Sequence, residues 1–239
     1  MKLTLVIIVA LAALYTLSSC HSTKGNGHVV TEKRGVGDFT KLNINGVFPV
    51  ELTQDGGEPW LKVQTDDNLQ DLVVTSNEHG ELKIWLEGKN IDIEKPGKIK
   101  LFVNVKDLRE LTFESVGNLT TPQQLKLDSL EVNSESVGKL ELNLTADYLR
   151  ANLNSVGATT LKGNVREARI NNKSVGVLHA FDLKTQTVMI HNTAIGAAEV
   201  YADSAFYIRS SAVGTLNYKG PGVVRELKSE GIGKVQKQD

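Results

Sequence analysis

Polar and apolar residues alternate in steps of two over most of this chain, and small triplets break the alternation at a nearly constant interval. The triplets read Ser115-Val116-Gly117, Ser136-Val137-Gly138, Ser155-Val156-Gly157 and Ser174-Val175-Gly176. Looser copies follow at Ala194-Ile195-Gly196, Ala212-Val213-Gly214 and Gly231-Ile232-Gly233. The glycines are separated by 21, 19, 19, 20, 18 and 19 residues. A self-similar period of this length is the mark of a solenoid. Six residues before the glycines stand Leu111, Val132, Ala151, Ile170, Ile190, Ile208 and Leu227, all apolar. Two earlier come Leu130, Leu149, Ala168, Val188 and Phe206, with Arg225 out of pattern. Two after the glycines come Leu119, Leu140, Thr159, Leu178, Ala198, Leu216 and Val235. Spacings of two predict strands with one buried face, and no stretch carries the i, i+3, i+4 stripe of a long helix.

Each repeat therefore predicts strand, tight turn, strand and return, the rung of a parallel β-helix with about 19 residues per coil. The glycines are expected at corners that need φ > 0 and close stacking, where a Cβ costs roughly 1 kcal/mol or more. Stacking of equivalent residues predicts ladders. Phe113, Ser134, Leu153, Asn172, Asn192, Ser210 and Ser229 should align, with a polar run from Asn172 on. Glu110, Glu131, Arg150 and Arg169 should line the outer face, with Glu131 beside Arg150 as a favourable pair.

Before the repeats, Val29 to Val105 is also β-patterned. Leu42 to Leu52, Trp60-Leu61-Lys62-Val63 and Glu81 to Leu86 alternate, with turns at Gln54 to Gly57 and Asn77 to Gly80. Asn68 to Val74 fits a short helix or a strand. Ile99 to Val105 leads into the first repeat. The division expected is 36–108 as a β-rich head portion and 109–239 as β-helix repeats, or one continuous domain over 36–239.

The first residues have another character. Lys2 precedes the apolar run Leu3 to Leu14, too short for the roughly 20 residues that span a bilayer, so 1–19 reads as a signal peptide. Leu17-Ser18-Ser19-Cys20 resembles the bacterial lipobox, which makes Cys20 the lipidation site and the start of a lipoprotein held to the membrane by its acyl chains. Residues 20–35 are then a polar tether, most clearly His21 to Asn26. No acidic cluster follows Cys20, which favours the periplasmic face of the outer membrane over the cell surface.

Composition narrows the function. There are 27 Lys+Arg against 28 Asp+Glu, a balance that argues against nucleic acid. One cysteine excludes an internal disulfide framework and a Cys-rich zinc module. Only 5% of residues are aromatic, so few rings are left for a sugar-binding cleft.

Asp38-Phe39, followed by Leu42-x-Ile44-x-Gly46-Val47-Phe48-x-Val50-x-Leu52, resembles the opening of the head GIN domain family, named for auto-transporter adhesins. The later strand pair and small-x-Gly turns match it as well, from about Phe39 to the C-terminus. The resemblance implies a right-handed parallel β-helix of pectin-lyase-like shape, typical of Bacteroidetes lipoproteins, with no established catalytic residues. In this chain Ser-Val-Gly stands where the family turn is commonly Gly-Ser-Gly.

These readings point to a non-enzymatic cell-envelope lipoprotein, an adhesin or scaffold that binds a protein or polysaccharide through a β-helix face, without cofactor or metal. The alternative is a carbohydrate-active envelope enzyme, a lyase or hydrolase, since β-helices host both. Glu114 and Glu135 fall about 5 Å apart on adjacent coils, the separation of a retaining glycosidase pair, but neighbouring like charges on a solvated corner are the simpler reading and nothing near them suggests a pocket. His179 and His191 differ in position relative to the corner glycine and fit no zinc spacing. Trp60 and Trp85 sit in alternating strands and read as core or sheet surface. Asp128-Ser129-Leu130 and Asp203-Ser204-Ala205 resemble an envelope O-glycosylation sequon. The open C-terminal β-edge offers an end-to-end homodimer contact. Gly117, Gly138, Gly157, Gly176, Gly196, Gly214 and Gly233 are assigned to the turns.

Overall fold

The computed structural model describes residues 23–88, 91–92 and 99–239. The expected signal peptide and Cys20 lie outside them. The described chain is a nearly all-β solenoid of about 7 turns with about 19 residues per turn, joined to a β-rich N-terminal region.

Successive coils stack strand on equivalent strand, in parallel and in register. The first face of the solenoid runs through Glu81–Leu86, Lys41–Gly46, Glu110–Ser115 and Ser129–Ser134. It continues through the later halves of Val137–Leu153 and Val156–Asn172, then Leu183–Asn192, Ala205–Ser210 and Val223–Ser229. The second face follows each corner, from Lys100–Asn104 and Val50–Thr53 through Leu119–Thr120 to Val175–His179, Ile195–Tyr201, Val213–Lys219 and Gly233–Lys237. A short third face stacks Leu125–Lys126 on 144–145, followed by 163–165 and 183–185.

The apolar columns expected from the sequence are the core except in the last coil, where Leu227 is half exposed and Val235 only partly buried. Leu111, Val132, Ala151, Ile170, Ile190 and Ile208 are buried, as are Leu119, Leu140, Thr159, Leu178, Ala198 and Leu216. Arg225 does not interrupt its column. The register shifts there, so that Phe206 stands opposite Val224 and Tyr207 opposite Glu226. Arg225 is the extra residue of a β-bulge, and Val224 continues the stack.

All seven corner glycines are required, for two reasons that do not always coincide. At Gly176 φ is +143°, and an added Cβ would meet the Gly157 carbonyl oxygen. Gly138, Gly157, Gly196 and Gly214 repeat both features. Gly117 and Gly233 lie outside the positive-φ region expected of them. Their Cβ would still collide with the carbonyls of Phe48 and Gly214. Coil spacing is the general cause, and backbone strain is added in the central coils.

The triplet serines do more than fit a small space. They point inward, and the Ser136 and Ser155 N–H groups donate to the hydroxyls of Ser155 and Ser174, each 3.2 Å away on the next coil. Buried backbone donors at the corner are thereby satisfied. The expected inner polar ladder forms in part. Asn172 Nδ2 donates to Asn192 Oδ1 at 3.0 Å, while Asn192 Nδ2 is buried with no partner.

The head differs from a simple approach to the first repeat. Strand Lys100–Asn104 does not stack on the coil that follows it in sequence. It pairs with Val50–Thr53, and Val50 in turn pairs with Leu119. The coil built from 41–53 is thus inserted between residues 81–104 and 110–120. The hairpin Val73–Glu78 and Glu81–Leu86 turns at His79 and Gly80, both at positive φ, the requirement of a type I′ turn. Asp67–Leu72 is a 3-10 helix.

Within the segment 20–35, expected as a tether, Val29–Gly35 is a strand paired antiparallel to Trp60–Asp66. Arg34 anchors it by donating to the carbonyls of Gln70 and Val73. One buried cluster runs from Val36 to Leu216 without a break, so head and repeats share one core.

Candidate functional site

On the first face, alternate residues of each strand point outward, and parallel register turns them into columns. One column reads Asn133, Asn152, Asn171, His191, Arg209 and Lys228. The neighbouring column reads Glu131, Arg150, Arg169, Met189, Tyr207 and Glu226. One shallow depression of about 360 Å³ lies between the two columns, and a second of about 530 Å³ adjoins it on the other side of the asparagines, towards Glu135, Asn154 and Lys173; the two share Asn171 and His191. From Asn133 to Arg209 this track crosses four coil steps, about 19 Å at strand spacing.

The asparagines form an outer ladder. Asn152 Nδ2 donates to Asn133 Oδ1 and Asn171 Nδ2 to Asn152 Oδ1, each at 2.8 Å. Every amide nitrogen has a second hydrogen and every amide oxygen a second lone pair. The ladder therefore still offers a donor and an acceptor at each step. The ladder expected from the sequence is the inner column one residue further on, Phe113 to Ser229 with its polar run from Asn172. Counting five residues back from each glycine would have shown three asparagines in line.

Arg150 and Arg169 stand directly opposite each other on neighbouring strands. Arg169 is held by Glu167 at 3.0 Å and lies over the Tyr148 ring, 5.5 Å from its centroid. Arg150 faces Glu131 in register, but the pair expected from the sequence does not close. Its guanidinium reaches the Tyr148 hydroxyl at 3.4 Å and no carboxylate among the described residues. Arg209 is paired with Glu226 through two contacts, at 2.8 and 3.3 Å, which holds the Glu226 carboxyl below its ordinary range. The first depression thus gathers three arginines against one glutamate, on a chain whose formal net charge is −1.

The other candidate residues are dispersed. Glu114 and Glu135 border one open hollow, where Asn45 donates to Glu114 at 2.9 Å. His179 lies on the second face against Glu199 at 2.9 Å, while His191 lies on the first. Among the described residues no group of three or more His, Cys, Asp or Glu is placed to hold a metal ion. Trp60 lies on the head sheet with Lys62 and Lys33 over its ring and its Nε1 donating to Asp55 at 3.2 Å. Ser204 is exposed and Ser129 half-buried. On the second face Glu141 is bridged by Lys139 and, one coil on, by Lys162 at 2.9 Å. Both contacts hold its carboxyl below the usual value.

The middle residue of the triplets forms a feature that the alternation rule hides, because it sits where the strand turns. Val116, Val137, Val156, Val175, Ile195 and Val213 each leave 48–55% of their surface exposed, and Ile232 leaves 82%. Stacked one per coil, they make an aliphatic ridge along the corner.

The family model described as "Putative auto-transporter adhesin, head GIN domain" matches residues 38–222. Among solved structures, a putative adhesin from Bacteroides fragilis is 22% identical, with a TM-score of 0.84 over 91% of this chain and 100% of that chain. A putative lipid binding protein from Parabacteroides distasonis is also 22% identical, with a TM-score of 0.68 over 92% of this chain and 100% of that one. A putative adhesin from Parabacteroides merdae is 24% identical, with a TM-score of 0.64 over 91% and 99%. At these identities the likeness is one of fold. No functionally curated protein matches the chain.

Proposed function

The chain belongs to the head GIN domain family of auto-transporter adhesins, and from that premise we propose that it is a non-enzymatic binding protein of the bacterial cell envelope. In this reading it acts as an adhesin whose ligand is a polysaccharide lying along the first face. The observation that carries the reading is the outer asparagine ladder beside the arginine column, with hydrogen-bonding groups repeated at every coil. A repeating polymer suits a repeating surface. A shallow, open track binds through many modest contacts.

The same track favours binding over hydrolysis. The two carboxylates that line it, Glu135 and Glu226, are five coils apart, about 24 Å at strand spacing, and Glu114, which shares a separate open hollow with Glu135, is taken up by the Asn45 amide. Glycoside hydrolysis needs a pair within about 5–9.5 Å.

Anchoring is part of the proposal. Acyl chains on Cys20 would hold the chain to the outer membrane, with the periplasmic face favoured. Among the described residues no helix is long and apolar enough to cross a membrane. Cys20→Ser is expected to move the chain from the membrane to the soluble fraction, and retention in the membrane would remove lipidation from the reading. For the binding face, a polysaccharide array with the purified full chain is the test. Wild type should bind at least one polymer without cleaving it, and Asn152→Leu/Asn171→Leu should abolish that signal. Unchanged binding by the double variant, or release of shortened products by wild type, would overturn the proposal.

A further inference from the structure

The lining of the track on the first face carries more positive than negative charge; Arg169 is met by Glu167 and Arg209 by Glu226, while Arg150 has no carboxylate partner among the described residues. Arg150 and Arg169 stack in register, an arrangement of like charges that costs stability in a sheet. Glu131 stands across from Arg150 yet forms no ion pair with it. Arg209 lies on the same depression, and Lys173 lines the adjoining one. The pooled lining of both depressions holds three arginines and one lysine against Glu135 and Glu226, an excess of two positive charges on a chain of net charge −1.

Resting on the reading of this face as the binding surface, we infer that the ligand is an anionic polysaccharide. Its carboxylate or sulfate groups are clamped between Arg150 and Arg169, and its hydroxyls lie along the Asn133–Asn152–Asn171 ladder. The chemistry fits each part. A guanidinium presents a planar fork that matches a carboxylate or sulfate in two-point contact. An anion seated between the two arginines would relieve their mutual repulsion. The ladder supplies paired donors and acceptors at a rise of about 4.8 Å per coil, which a chain of regularly spaced sugar hydroxyls can follow. Tyr207 and Met189 continue the arginine column and give the sugar faces an apolar floor beyond it.

The test uses the full chain and polymers that share a backbone but differ in charge. Polygalacturonate is compared with its fully methyl-esterified form, and dextran sulfate with dextran, by biolayer interferometry. Wild type is expected to bind at least one of the two anionic polymers, at least tenfold more tightly than its neutral counterpart. Arg150→Gln and Arg169→Gln should each raise the Kd at least tenfold with an unchanged circular dichroism spectrum. Arg166→Gln, which removes the same charge where Arg166 pairs with Asp147, should stay within twofold.

Equal binding of charged and neutral polymers, lost in Asn152→Leu, would overturn the anion assignment and leave the binding face standing. Equal losses in all three arginine variants would reduce the effect to general charge attraction and overturn the clamp. Absence of binding to both anionic polymers, or double-stranded DNA binding as tightly as they do, would overturn the inference as well.

Discussion

A methyl group on Gly176 would lie 1.9 Å from the carbonyl oxygen of Gly157 and 2.8 Å from its carbon, at a residue whose φ is +143°. Two separate costs follow for Gly176→Ala. The backbone conformation is one that residues with a Cβ rarely adopt, at about 1–3 kcal/mol. Relieving the contact means moving two coils apart at the corner, which stretches the bonds from Val175 N to Ser155 O and from Lys173 N to Leu153 O, now 2.9 and 2.8 Å. Each such bond contributes about 1 kcal/mol. The expected loss is about 3–5 kcal/mol, read as a fall in the urea midpoint by circular dichroism. Because coils in a solenoid couple mainly to neighbours, the slope should be fitted together with the midpoint.

Three companions separate the terms. Gly35→Ala, with nothing within 4 Å of the added carbon, should change stability by under about 0.5 kcal/mol. Gly56→Ala, at φ +80° in open space, isolates the backbone cost. Gly117→Ala, outside the positive-φ region but 2.2 Å from the Phe48 oxygen, isolates the contact. If Gly176→Ala costs no more than Gly56→Ala, coil spacing is not what demands glycine at the corners.

Other expectations follow from the same geometry. Ser155→Ala removes the acceptor of the buried Ser136 N–H and should cost about 1–3 kcal/mol by urea denaturation, and a neutral result would leave the serines as mere space fillers. Val175→Ala, at an exposed ridge position, should stay within about 0.5 kcal/mol, and a larger loss would mean the ridge is packed. Glu141, Glu226 and Asp55 have carboxyls held below their ordinary values, by Lys139 and Lys162, by Arg209, and by the Gly57 N–H respectively. Groups depressed in the folded state add stability above their unfolded pKa and lose it as pH falls through the folded one. Thermal midpoints should therefore decline below about pH 4.5, the ordinary glutamate value, and a midpoint that rises on acidification would contradict these pairings.

Much of this fold was legible because a coil repeats both its length and its burial pattern. The glycine interval and the columns from Leu111 to Ile208 and Leu119 to Leu216 are direct consequences of stacking. What escaped was non-periodic. Arg225 read as a fault in its column because a bulge shifts register by one residue without changing composition. The insertion of 41–53 between 81–104 and 110–120 leaves no trace in local alternation, since strand order is set by long-range pairing. Val29–Gly35 read both as the start of the β-patterned stretch and as the end of the tether, because its exposed edge is polar and its anchor, Arg34, is a charged side chain. At the candidate site the arginine column was visible, but its partner was misjudged. Register placed Glu131 beside Arg150, while rotamer choice sent the guanidinium to Tyr148.

The claim that the first face is the binding surface is tested most directly by oxidative footprinting of the full chain with and without a saturating amount of the anionic polymer it binds, polygalacturonate or dextran sulfate. Met189, His191 and Tyr207 lie on that face and carry side chains that react readily with hydroxyl radicals. The account predicts that polymer shields all three while labelling of the ridge residues Val156, Val175 and Ile195 is unchanged. Shielding confined to the ridge, or labelling of the three unaltered by the polymer, would contradict it.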